Sequence, residues 1–212
     1  MRVVRYLYRK HRVCDADHAM LNKYADTRDI QEERSSLYRS SRHPINRIWQ
    51  PAIPNLSNRD YNMHEVEIVN RQSLLDIDQE ILMSTVKCIL TTEGIKRSHI
   101  NIAIVDNPTI QQLNARYLQH NNATDVLSFL LERDVDTIEG EIMISAEMAV
   151  EMAKDYDWCP TAELLLYLVH GTLHLVGFDD RTDEDRRIMR AQERRYLNAL
   201  GLKPNYEEGA AL

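Results

Sequence analysis

Cysteine is scarce. The chain has three in 212 residues, Cys14, Cys88 and Cys159, far apart and without a C-x-x-C pair. That argues against a disulfide framework and against cysteine-ligated zinc, and fits a reduced, cytosolic protein. A run of eighteen or more apolar residues is also missing, so no membrane span is expected. The opening MRVVRYLYRKHRV is basic but lacks the apolar stretch of a secretory signal. An excess of basic charge is absent too. The formal net charge of −7 speaks against a generally basic nucleic-acid binder. The charge is unevenly spread, however. Residues 1–62 carry 12 basic and 7 acidic side chains, against 14 and 26 in the remainder.

Clear apolar periodicity is lacking over residues 1–62, which contain RSSRHP and QPAIPNLSNRD. This segment reads as a poorly ordered extension. The domain proper begins at Met63 and the leader is incidental, or the leader is an RNA-contacting arm, or it forms a small folded subdomain. Residues 63–200 carry the organised pattern, and 201–212 form a C-terminal tail.

From Met63 onward the elements alternate. His64–Asn70 alternates polar and apolar residues, as a strand does. Asp76–Thr92 has helical spacing and ends at Gly94. His99–Val105 is a second strand, and Asn107-Pro108-Thr109 opens a helix. Asn121–Thr124 is a turn, Val126–Leu131 and Glu141–Ser145 are strands, and Ala146–Tyr156 is a helix. Pro160 starts a strongly apolar helix that Gly177 closes, apolar on most sides and so expected to run through the core. Asp183–Leu200 forms the last helix. The pattern predicts an α+β fold: a small, mixed, four-stranded sheet packed against helices.

His170 and His174 lie on the central helix at i and i+4. That spacing puts both imidazoles on one face, about 5–6 Å apart at Cβ, within reach of one divalent ion. Beyond the Gly177 turn, Asp179 and Asp180 emerge, so that one carboxylate can fold back to the same ion. H-x-x-x-H-x-x-G-x-x-D leaves a fourth position for water, as a catalytic zinc site does. The alternative is a hydrogen-bonded core pair, with the aspartates capping the next helix, a role that falls more naturally to Asp183. In zinc proteases of the H-E-x-x-H type a glutamate base follows the first histidine. Gly171 occupies that position, which favours phosphodiester over peptide hydrolysis.

HGTLHLVGFDD closely resembles the signature H-G-x-L-H-L-x-G-Y/F-D-H of the YbeY family. Upstream, Leu113–Phe129, LNARYLQHNNATDVLSF, resembles that family's L-N-x-x-Y-R-x-K-D-x-P-T-D-V-L-S-F. EGEIMIS, Glu139–Ser145, is similar to its G-D-I strand, and the Met189 to Glu193 spacing matches its final helix. The resemblance covers about Met63–Leu200. It implies a metal-dependent, single-strand-specific endoribonuclease of 16S rRNA 3′-end maturation and ribosome quality control. The implied partners are single-stranded rRNA and the small ribosomal subunit, in the cytoplasm and away from any membrane. The implied cofactor is one Zn2+ per chain on three histidines, of which His170 and His174 are kept. Asp180 stands at the third position, where a carboxylate is an acceptable ligand but lowers the charge of the centre by one. Iron, nickel or manganese also suit two histidines and a carboxylate.

The family's phosphate-engaging arginine is replaced by Leu118, which has no donor. His120 is the local substitute. Thr124, Asp125 and Ser128 remain from the T-D-V-L-S motif and are expected to bind substrate or to position the turn and strand beside the metal. The family's glycine-aspartate is Gly140–Glu141 here. The expected active centre is therefore His170, His174 and Asp180, with His120, Thr124, Asp125 and Ser128 on the substrate side. Leu118 leaves open a non-catalytic ribosome-assembly protein that retains a structural metal. A metallohydrolase of another substrate, including peptide, is the third reading.

Overall fold

The computed structural model describes residues 5–8 and 63–204; the expectations for the rest of the leader and for most of the tail fall outside these residues. The strands are β1 (Arg5–Tyr8), β2 (Met63–Asn70), β3 (Arg97–Val105), β4 (Val126–Arg133) and β5 (Thr137–Ser145). The helices are α1 (Gln79–Thr92), α2 (Asn107–Leu118), α3 (Ala146–Asp155), α4 (Pro160–Val176) and α5 (Asp183–Ala199).

The strands form one mixed sheet in the order β1-β4-β5-β3-β2. β2, β3 and β5 run parallel, and β4 pairs antiparallel with β5. These are the four strands the periodicity predicts. β1 adds a short parallel edge beside β4, with Arg5 opposite Leu127 and Tyr8 opposite Leu130. β5 begins four residues earlier than its apolar run suggests. Thr137 and Glu139 continue the ladder opposite Arg97 and His99 of β3, and backbone pairing is indifferent to their polarity.

The period of two in β3 sends Ile100, Ile102 and Ile104 to one face of the sheet. There they join Ile138, Ile142, Ile144, Val126 and Leu130 under Leu82, Val86 and Ile89 of α1 and the side chains of α4. A smaller cluster fills the opposite face, where Val105, Leu127 and Met143 meet Ile110 of α2, with Leu113, Leu118 and Phe129 packed against them. Cover on both faces explains why β4, apart from Ser128, and the end of β5 read as apolar runs.

Capping sets the helix starts. Asp78 accepts from the amides of Glu80 and Ile81, so α1 starts at Gln79 rather than Asp76. Thr182 caps α5 in a reciprocal box with Asp185. The cap is therefore neither Asp180 nor Asp183, and the Asp180 carboxylate is left for other work.

Candidate metal centre

α4 crosses the core with every residue from Ala162 to Leu175 buried, as a helix apolar on most sides must. His170 is 6% exposed and His174 is fully buried. Their Nε2 atoms stand 2.8 Å apart, with ring centroids 4.5 Å apart and the planes inclined at 72°.

Each ring is held from its other nitrogen. Gly177 adopts φ +111° and ends α4, a conformation open to glycine at little cost. Its amide and that of Phe178 donate to the carbonyl of Leu173 at 3.1 and 3.0 Å. This turn delivers the Phe178 carbonyl to Nδ1 of His174 at 3.0 Å. A carbonyl only accepts, so His174 carries its proton on Nδ1. His170 Nδ1 lies 2.5 Å from Oε1 of Glu193, and a carboxylate fixes the same tautomer. The Nε2 lone pairs of the two rings therefore point at each other. Two such nitrogens at 2.8 Å are held together by a shared proton or by a metal ion between them.

Asp180 supplies the third donor. Its Oδ2 is 3.8 Å from His170 Nε2 and its Oδ1 is 3.9 Å from His174 Nε2. Tetrahedral coordination with bonds of about 2.1 Å places ligand atoms about 3.4 Å apart. The three donors bracket that value and fit one divalent ion. Asp180 is also the exposed edge of the group, its side chain 27% accessible, so solvent approaches from its side. Arg186 of α5 donates to the carbonyls of Asp180 and Arg181, both at 3.0 Å, and pins the loop. Asp179 is committed elsewhere, to the amide of Asp180 and to Arg181.

The electrostatics agree. Burial, reinforced by the neighbouring His170, lowers the pKa of His174 to about 3, so the ring stays neutral and ready to ligate. Burial raises the Asp180 carboxyl, with His170 pulling the other way.

The residues expected on the substrate side separate into two sets. His120 is exposed in the loop after α2. Thr124, Asp125 and Ser128 are 2%, 4% and 1% exposed and lie in the interior. Asp125 Oδ1 accepts from Thr124 Oγ1 and the Val126 amide at 3.0 and 2.9 Å. Its Oδ2, like Ser128 Oγ, is buried without a hydrogen-bond partner among the described residues. Burial raises the Asp125 carboxyl, and His170 opposes that shift. Ser128 faces α4 directly: a Cβ on Gly171 would lie 2.8 Å from Ser128 Oγ and 3.1 Å from a Val126 methyl. A cleft of about 400 Å³ opens elsewhere, among Glu65, Arg97, His99, Glu132 and Glu139. Its lining holds four carboxylates, Glu65, Glu132, Asp134 and Glu139, and none of the three donors.

Glu193 was missed as a site residue. It is fully buried on α5, in the stripe of Met189, Tyr196 and Leu197, and its Oε2 meets Arg190 at 3.1 Å. A glutamate at apolar spacing was the available signal.

The family described as "Endoribonuclease YbeY" matches residues 64–201. A protein named Endoribonuclease YbeY from Carboxydothermus hydrogenoformans is 43% identical over 141 residues, covering 65% of this chain and 98% of its own. One of the same name from Rhodopirellula baltica is 42% identical over 113 residues, 52% of this chain and 58% of its own. A solution structure of TM1509 from Thermotoga maritima is 28% identical, with a TM-score of 0.48, over 65% of this chain and 89% of that one. The family match over residues 64–201 spans His170, His174 and Asp180, and on it the chain belongs to the YbeY endoribonuclease family.

Proposed function

We propose that this protein is a zinc-dependent, single-strand-specific endoribonuclease of the cytoplasm. It acts in 16S rRNA 3′-end maturation and ribosome quality control on the small subunit. The supporting observation is the facing pair of His170 and His174 Nε2 atoms, 2.8 Å apart, beside a partly exposed aspartate. Membership of a family of metal-dependent hydrolases that cleave RNA supports the same reading. No helix among the described residues is long and apolar enough to cross a membrane.

His170, His174 and Asp180 would hold the ion. Once bound, it supplies Lewis-acid stabilisation of developing phosphate charge and makes an attacking water more acidic. The chain's own residues do the positioning. The α4 core keeps the His174 imidazole neutral, and Glu193 and the Phe178 carbonyl orient the two rings through their Nδ1 atoms. The Gly177–Thr182 loop, pinned by Arg186, brings Asp180 to the solvent side. His120 is the exposed group for a phosphate of the RNA strand. Thr124, Asp125 and Ser128 act from below, keeping β4 against the helix that carries the histidines.

Gly171 weighs against a peptidase of the H-E-x-x-H type. Its Cβ direction leads into Ser128, Val126 and Ile142, so a base there would face the sheet and not a substrate. A second reading, a ribosome-assembly protein with a structural metal, is favoured by Leu118, which packs into the smaller cluster and offers phosphate nothing. Elemental analysis of purified protein, with cleavage of single-stranded RNA before and after chelation, separates the two. Metal-dependent cleavage lost in His170→Ala is expected. A metal-loaded, folded protein that leaves RNA intact would overturn the enzyme reading.

A further inference from the structure

The two histidines are held by unlike acceptors. His174 donates to a neutral backbone carbonyl, whereas His170 donates to a carboxylate at 2.5 Å, its partner fully buried on a different helix. Met189, Tyr196 and Leu197, the other buried positions of α5, are apolar or nearly so. Packing alone would favour an apolar residue at position 193, because a carboxylate sealed from water must be compensated. Arg190, one turn earlier and a quarter exposed, reaches Oε2 from the solvent side. The result is a line of contacts from a surface guanidinium through Glu193 to the ring of His170.

We propose that Glu193 is a positioning residue for the metal centre. It locks His170 in the Nδ1-protonated form with its Nε2 lone pair aimed at the ion, and its negative charge strengthens that nitrogen as a donor. The inference rests on the reading that His170, His174 and Asp180 hold a divalent ion. It adds a requirement that reading lacks: an orienting partner 23 residues away in sequence whose loss weakens metal binding without weakening the fold. Carboxylates behind ligating histidines act this way, and removing them costs about tenfold to a hundredfold in affinity.

The test uses full-length wild type, Glu193→Gln and Glu193→Ala. Zinc affinity is read by competition with a chromophoric chelator, and thermal unfolding is followed on the metal-free proteins. Gln keeps the size and an acceptor oxygen but removes the charge. It is expected to lower Zn2+ affinity by about tenfold or more while leaving the metal-free midpoint unchanged or raised. Ala should lose at least as much affinity. In Co2+-loaded protein the visible absorption should shift in Glu193→Gln, reporting a changed ligand field that a purely structural role would not move. Unchanged Zn2+ affinity in both variants, or a fall that only tracks a lowered metal-free midpoint, would overturn the proposal while sparing the metal reading. Failure of wild type to bind Zn2+ or Co2+ would overturn both.

Discussion

His170 and His174 face each other through their Nε2 atoms at 2.8 Å, with both Nδ1 protons already donated, to Glu193 and to the Phe178 carbonyl. A divalent ion held between these nitrogens binds the folded chain and not the unfolded one. Zinc should therefore stabilise the fold. The gain is about 2.7 kcal/mol when free metal is a hundred times the dissociation constant. His170→Ala and His174→Ala should each abolish that gain. Calorimetry with and without Zn2+ checks it, and a His174→Ala protein that is stabilised as much as wild type would remove the pair from the metal.

The metal-free protein should also lose stability in acid through His174. Its pKa lies at about 3 in the fold, lowered by burial and by His170, against about 6.5 in an unfolded chain. As pH falls below about 6.5 the unfolded state takes a proton that the native state refuses. The contribution is whole above that pH and is lost as pH falls toward 3. Asp125 and Asp180 are raised by burial. They act in the opposite sense, giving stability that diminishes as pH rises through their folded values. Comparison with His174→Gln isolates the imidazole. Between pH 7 and pH 4 wild type should lose about 3 kcal/mol more than the variant, measured by urea unfolding. Equal losses would mean that the ring is protonated in the fold.

Asp180→His restores three neutral donors and removes one negative charge from beside the reacting water. The centre becomes more positive, so cleavage should reach its plateau at lower pH, by on the order of one unit. A pH–rate profile on single-stranded RNA reads this directly. An unmoved profile would count against Asp180 as a ligand.

Much of this architecture was written in local pattern. Period-two and helical spacing located β2 to β5 and all five helices. The i, i+4 histidines followed by Gly177 and Asp180 were readable because one helix turn and one glycine bend connect them. Long-range relations were not readable. Glu193 reaches His170 from another helix, and nothing near either residue announces the pairing. Arg5–Tyr8 joins β4 from a segment without periodicity. Asp125, expected to bind substrate or to position the turn and strand, is buried within electrostatic reach of His170 on α4, far away in sequence. Thr182 outcompetes its acidic neighbours as a cap because Asp185 reciprocates.

Gly171 marks where helix and sheet touch. A Cβ there would meet Ser128 Oγ at 2.8 Å and methyls of Ile142 and Val126 at 3.0 and 3.1 Å. Alanine gains about 1 kcal/mol of helix propensity, but forcing a methyl into a filled contact costs about 1–3 kcal/mol. Gly171→Ala should be neutral to destabilising by about 2 kcal/mol. It should also weaken zinc binding, because α4 must move with both histidines. Denaturant unfolding and a zinc titration check it. A variant more stable than wild type would show that the approach is looser than these distances imply.

Leu118→Arg tests whether the loop after α2 contacts RNA. Leu118 is the last residue of α2, half-buried against Leu113, Phe129 and the rest of the smaller cluster, and it is followed by Gln119 in a left-handed turn and by exposed His120. An arginine there can keep its methylene stem on the cluster and extend its guanidinium into solvent, so Leu118→Arg should cost under about 1 kcal/mol. If the loop after α2 borders the path of the RNA, the new guanidinium neutralises one phosphate. Affinity for single-stranded RNA should rise, and the dependence of log K on log salt should steepen by about 0.7. On the same condition, His120→Ala should reduce affinity in wild type and matter less in the Leu118→Arg background, because both groups would serve the same phosphate. Binding measured from 50 to 200 mM salt tests this, and an unchanged slope in Leu118→Arg would place the RNA strand away from this loop.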